Sequence, residues 1–253
     1  DVLGSRGLGD VYKRQENGDS LALHIFKPRN MQAGEKRPVI VYFFGGGWKL
    51  GTPLQFYREC AYYASKGMVA VSVDYRIEYL HHSTPFDSFE DAKDAICWLR
   101  SHASDYQLDP DKIAVAGGSA GGHLAAALGT IGSDEAVNYR PNLSVLYYPV
   151  VDMVSRGYGF LEIKRDFEKI SPIHHVSEAT PSTLILLGTK DPIVSVETIR
   201  SYQDKLLQKG VDCELHLFEG AGHPIFLYRK PLTEDYYKVR KLTDDFLKRE
   251  GFL

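Results

Sequence analysis

The sequence predicts an α/β protein with a doubly wound, mostly parallel sheet and helices on both faces. Three observations predict it. From Ser20 onward short apolar runs alternate with longer amphipathic segments, the pattern of strands joined through crossover helices. Most of these runs are continuously apolar, as strands buried on both faces must be. No repeat and no Pro- or Ser-rich linker divides the chain of 253 residues, of which 43% are hydrophobic and 25% charged. Residues 16–253 therefore read as one domain.

The first fifteen residues are set apart. Asp10–Gln15 reads DVYKRQ, which is what the transposase end sequence GAT GTG TAT AAG AGA CAG encodes. Residues 1–15 are therefore expected to be an assembly scar outside the domain; an ordinary Gly-rich leader is the alternative. With the natural start in doubt, the sequence carries no expectation of cellular location.

Within the domain, Leu21–Phe26 alternates with period two, as a half-buried strand does. Pro38–Phe44 and Met68–Tyr75 are nearly continuous apolar runs, and Ile113–Gly118, Leu143–Tyr148, Ser182–Gly188 and Cys213–Phe218 complete the strands. Between them, Glu90–Ser104 places Ala92, Ala95, Ile96, Leu99 and Ala103 on one helical stripe. Leu54–Ser65, Ser119–Gly129, Val196–Lys209 and Tyr236–Lys248 read as helices in the same way. Residues 152–180 interrupt the alternation and are expected to form a short lid insertion.

Charge and cysteine content exclude several classes. The net charge is −3 with no basic stripe, so no nucleic-acid partner is expected. No apolar run approaches the ~18 residues of a membrane span. Three cysteines, Cys60, Cys97 and Cys213, lack metal-ligand spacing, and neither a metal nor a cofactor is expected. The oligomeric state is not legible.

The chemistry is concentrated at strand ends. Gly117-Gly118-Ser119-Ala120-Gly121 fits G-x-S-x-G, a weak signal until its context is added. It follows a buried strand and opens an Ala-rich helix, the sharp turn that exposes a serine hydroxyl above a sheet. A Gly-rich phosphate turn would need a P-loop lysine or a dinucleotide-type acid, and both are missing. Gly45-Gly46-Gly47 follows another buried strand, where backbone N–H groups can turn toward a bound oxyanion. A serine nucleophile needs a base that an acid orients. Of nine histidines, His24 and His216 fall in strand patterns and His102 near a helix end. His81 and His82 fall in a polar loop, His174 and His175 in the irregular stretch, and His123 on the helix that Ser119 opens. His223 lies in a Gly-rich loop after the last strand, free to swing over the sheet edge. Asp191 closes the preceding strand, and Glu219 is the rival acid.

FGGGW (Phe44–Trp48), DYR (Asp74–Arg76), GGSAGGH (Gly117–His123), GTKDPIV (Gly188–Val194) and GAGH (Gly220–His223) together resemble the α/β-hydrolase carboxylesterases and acetylesterases, in their hormone-sensitive-lipase-like and bacterial carbohydrate-esterase branches. The resemblance spans Leu21 to Phe226. It implies Ser119 as nucleophile, Asp191 and His223 as its partners, and N–H groups of Gly46, Gly47 and Ala120 as oxyanion donors. It also implies a serine esterase working through an acyl-enzyme on small-molecule or oligosaccharide esters. A lid of under thirty residues favours short acyl groups, acetyl first; the candidate alcohols are a sugar or a xylan fragment, and a ferulate ester is the alternative. Two positions depart from the pattern. Phe44 stands where the family usually has His, and Pro224 follows the base where many relatives have Gly. Amide hydrolysis by a formamidase- or oligopeptidase-like enzyme uses the same three residues, and a binding protein on a hydrolase scaffold is the rival of another class.

Overall fold

The computed structural model describes residues 10–14, 20–132, 139–153, 166–227 and 232–253. Eight strands form one sheet: β1 (Asp10–Arg14), β2 (Ser20–Phe26), β3 (Arg37–Phe43), β4 (Val69–Val73), β5 (Leu108–Gly118), β6 (Leu143–Tyr147), β7 (Ser182–Gly188) and β8 (Cys213–Phe218). Their order is β1-β2-β4-β3-β5-β6-β7-β8. β2 is antiparallel to β1 and β4, and all other neighbours are parallel. This is the mostly parallel sheet that the apolar runs predict. β4 and β6 are buried at every position, whereas β2 buries Leu21, Leu23 and Ile25 in alternation, the mark of a strand near the sheet edge.

The helices are α1 (Tyr57–Ser65), α2 (Glu78–His81), α3 (Pro85–Ser101), α4 (Ala103–Tyr106), α5 (Ala120–Thr130), α6 (Val196–Gln208) and α7 (Glu234–Arg249). Successive residues of β6 show that both faces are covered. Ser144 faces Gly129 of α5, while Tyr147 faces Thr243 of α7 at 3.3 Å. α3 packs on α5, and α1 is joined to α7 by Tyr62–Asp244 at 2.5 Å and Arg240–Glu59 at 3.1 Å. α3 starts at Pro85 rather than Glu90 because Thr84 makes a capping box with Asp87 and Pro85 fills the first turn. β5 begins at Leu108, paired with Arg37 across an irregularity.

Part of the stretch set apart as a scar belongs to the sheet. Asp10–Arg14 pairs with β2, Tyr12 Oη donates to Asp74 O at 2.7 Å, and Lys13 Nζ reaches Asp91 and Asp94 at 2.8 and 2.7 Å. The sheet thus begins before residue 16, whatever the origin of these residues. Residues 1–9 and 15 lie outside the described ones.

Of the expected lid, 154–165 lie outside the described residues. Its later part is anchored: Ile170, Ser171, Pro172 and Ile173 are buried, Ser171 Oγ accepts from Met153 N at 3.0 Å, and Ile173 N donates to Val151 O at 3.0 Å. Among the described residues no helix is long and apolar enough to cross a membrane.

Candidate active site

β5 ends at Gly118, and the next residue must reverse direction to start α5. Ser119 makes that turn with φ 56° and ψ −118°, a region that costs a non-glycine residue on the order of 1–3 kcal/mol. The surroundings hold it there. Ser119 N donates to Tyr147 O at 3.0 Å and Ser119 O accepts from His123 N at 2.9 Å. Close approach of helix to strand requires glycine at 121, where a Cβ would lie 2.0 Å from Phe43 O.

The loop after β7 supplies the carboxylate and the loop after β8 the imidazole. His223 Nδ1 lies 2.7 Å from Asp191 Oδ2 and His223 Nε2 lies 2.8 Å from Ser119 Oγ. The Asp191 side chain is fully buried, and its other oxygen, Oδ1, accepts from Ile193 N and Val194 N at 2.8 and 2.9 Å. Burial pushes the carboxyl up, but the hydrogen bonds from His223, Val194 and Ile193 outweigh it and hold its pKa below the ordinary carboxylate value. The two loops are stitched together: Lys190 N donates to Ala221 O at 2.9 Å and Gly220 N to Thr189 Oγ1 at 2.8 Å. Glu219, the rival acid, does not hold the base, because His223 Nδ1 is taken by Asp191. Pro224 sits within a three-residue turn that Ile225 N closes onto His223 O at 3.0 Å, a geometry that suits proline's fixed φ.

The glycine loop lies against the serine turn, for a Cβ on Gly45 would be 2.7 Å from Gly118 O and 3.4 Å from Ser119 Cβ. Gly45 N–H donates to Gln55 Oε1 at 2.6 Å. Among the described residues no acceptor takes the N–H groups of Gly46, Gly47 or Ala120. Phe44 stacks on Tyr75 with centroids 4.0 Å apart and planes at 15°, and Tyr75 Oη donates to Phe44 O at 2.5 Å. An aromatic stack and a buried hydroxyl thus fix the loop at Phe44.

Two neighbours of this cluster belong to none of the sequence motifs. Gln55 clamps the glycine loop from the 3₁₀ turn Pro53–Phe56. Tyr148, buried and with φ 39°, packs its ring against His223 at 4.8 Å. The tyrosine's position just past β6, level with Ser119 at the end of β5, was the signal available. His123 stands apart from the cluster and donates from Nε2 to Ile170 O at 2.6 Å. Among the described residues no group of three or more His, Cys, Asp or Glu side chains is arranged to hold a metal ion.

A family model described as BD-FAE matches residues 23–165. The chain belongs to the BD-FAE family. With it come α/β-hydrolase esterases as relatives. Esterase Est2 of Thermogutta terrifontis superposes with a TM-score of 0.91 at 37% identity, covering 98% of this chain and 94% of that one. That esterase has been solved with propionate and with butyrate bound and phosphorylated by paraoxon. Esterase LipC of Mycobacterium tuberculosis is 31% identical over 230 residues, 79% of this chain and 56% of LipC. An acetylxylan esterase of Xylanibacter ruminicola is 24% identical over 76% of this chain and 42% of its own length. This BD-FAE member spans about half the length of the curated relatives it matches.

Proposed function

We propose that this protein is a serine carboxylic ester hydrolase acting on small esters with short acyl groups. The observation that carries the proposal is the continuous chain of hydrogen bonds from Asp191 through His223 to Ser119. In this reading His223 Nε2 takes the proton of Ser119 Oγ as the oxygen attacks the ester carbonyl. The buried Asp191 carboxylate keeps the proton on Nδ1 and steadies the imidazolium. The unoccupied N–H groups of Gly46, Gly47 and Ala120 receive the tetrahedral alkoxide, each donor lowering the barrier by roughly 3–4 kcal/mol. The imidazolium then protonates the leaving alcohol, an acyl-serine remains, and a water deprotonated by His223 releases the acid.

Short acyl groups are favoured by the relative with propionate and butyrate bound. On the alcohol side, Leu50, Tyr79 and Leu80 are large apolar side chains left exposed. Tyr79 N is hydrogen-bonded to Lys49 O next to the glycine loop at 3.1 Å. Such a rim suits an aryl alcohol better than a bare sugar. The test is a p-nitrophenyl ester series from acetate to laurate, with methyl ferulate, acetylated xylan and p-nitroacetanilide. Activity is expected to peak at acetate to butyrate, and Ser119→Ala should lose at least ~10³-fold in kcat. A Ser119→Ala variant retaining a tenth of the activity, or an optimum at laurate, would overturn the reading. Paraoxon should leave a diethylphosphoryl group on Ser119 Oγ with release of p-nitrophenolate.

A further inference from the structure

A second cleft lies at the other end of the sheet, where the parallel strands begin. Its volume is about 520 Å³, and among the described residues its wall includes Lys27, Arg29, Asn30, Arg37, Ser65 and Lys66 and no acidic side chain. The 27–36 connection after β2, the first residue of β3 and the turn after α1 build it. β3 and β5 run away from it toward the glycine loop and Ser119. It is therefore separate from the esterase site, and whatever occupies it is not the substrate of Ser119.

Four cationic side chains in one concavity stand out in a chain whose net charge is −3. The nearby acid Glu35 accepts from Arg37 Nη2 at 2.6 Å and from Gln32 N at 3.2 Å. Arg37 Nε is buried with no hydrogen-bond partner. Arg37 Nη1 points across the cleft toward the α1–β4 turn, 4.0 Å from where a Cβ of Gly67 would be. Two ammonium groups at the rim rest on aromatic faces, Lys27 Nζ 4.8 Å from the Tyr106 ring centre and Lys66 Nζ 5.4 Å from that of Tyr62. Concentrated like charge in a recess repels itself, and a buried guanidinium N–H without an acceptor costs free energy. One small anion with several oxygens relieves the repulsion.

We propose that this cleft binds a small multivalent anion of the phosphate type, with Arg37 contributing planar N–H donors and Lys27 and Lys66 point charges. An arginine fork flanked by lysines is the donor set for phosphoryl oxygens, and the volume falls in the range of small-ligand sites, about 300–1,000 Å³.

Inorganic pyrophosphate is the probe, titrated into the whole chain by calorimetry in about 0.15 M chloride, where unspecific surface attraction is largely screened. Saturable one-to-one binding is expected, accompanied by a rise in Tm. Arg37→Gln and the double variant Lys27→Gln/Lys66→Gln should each weaken it at least tenfold while leaving kcat/KM for p-nitrophenyl acetate within about twofold. Ser119→Ala should bind like the wild type. The double variant alters only rim side chains and serves if Arg37→Gln does not fold. The proposal is overturned if the wild type gives no saturable binding, if the charge variants bind equally well, or if Ser119→Ala abolishes binding.

Discussion

Asp191 holds its charge because three donors converge on it: the imidazole of His223 and the N–H groups of Ile193 and Val194. An amide at this position fills the same space but can stabilise the wrong imidazole tautomer. Asp191→Asn is accordingly expected to lose up to ~10⁴-fold in kcat with little change in KM, whereas Glu219→Gln should cost less than about tenfold. The reverse ranking in steady-state kinetics would displace Asp191 from its proposed role. These residues were legible in the sequence because Ser119, Asp191 and His223 each follow a strand and adjoin a glycine or proline, so that local pattern alone sets them at the sheet's edge. Tyr148 and Gln55 were not legible in the same sense. Their contacts with His223 and Gly45 arise only when separate elements meet, and neither residue type is tied by local sequence to such a contact.

Among the elements, β1 shows how a short alternating segment acquires partners. DVYKR directs Tyr12 and Lys13 toward Asp74 O and the Asp91–Asp94 pair, and Asp91 has no exposed side-chain surface. Deleting residues 1–15 is expected to lower Tm by about 2 °C or more, the effect of ~1 kcal/mol in a domain of this size; an unchanged Tm in a calorimetric scan would make the strand a passenger. The start of α3 is marked by Thr84-Pro85 and Asp87 rather than by apolar periodicity. α5 carries a pH signature. Burial pushes the His123 imidazole down to about 4, even though its hydrogen bond to Ile170 O works the other way. Unfolded histidine titrates near ~6.5, so on acidification the unfolded chain takes up the proton first. The stabilisation is complete above ~6.5 and is lost as pH falls toward 4, amounting to on the order of 3 kcal/mol. In urea unfolding, His123→Gln should flatten the decline of stability over that window relative to wild type. Parallel curves would show that another group sets it.

For the molecule as a whole, the doubly wound sheet was legible from alternation and continuous apolar runs, but the pairing of its covering helices was not. Glu59 of α1 accepts from Tyr236 and Arg240 of α7 beneath the surface, a contact between residues 59 and 240 that no local pattern announces. Burial pushes the Glu59 carboxyl up, opposed by Tyr236 and Arg240. Removing one member of such a group leaves the rest buried without compensation, at about 3 kcal/mol or more. Glu59→Ala should therefore lower Tm by roughly 6 °C or more while kcat/KM of the folded protein stays unchanged, because the network lies on the helical face and not at the strand ends. A loss of activity without a loss of Tm would tie α1 to the site in a way its contacts do not.

The glycine loop ends in Trp48, buried and with its ring edge-on to His123 at 5.1 Å. The sequence contains two tryptophans, and the other, Trp98, stacks on His102 at 4.0 Å, away from the loop. The loop thus carries its own optical label. In a Trp98→Phe background, tryptophan emission comes from Trp48 alone, and its wavelength and lifetime should change when a boronic acid or a phosphonate fills the space above Ser119.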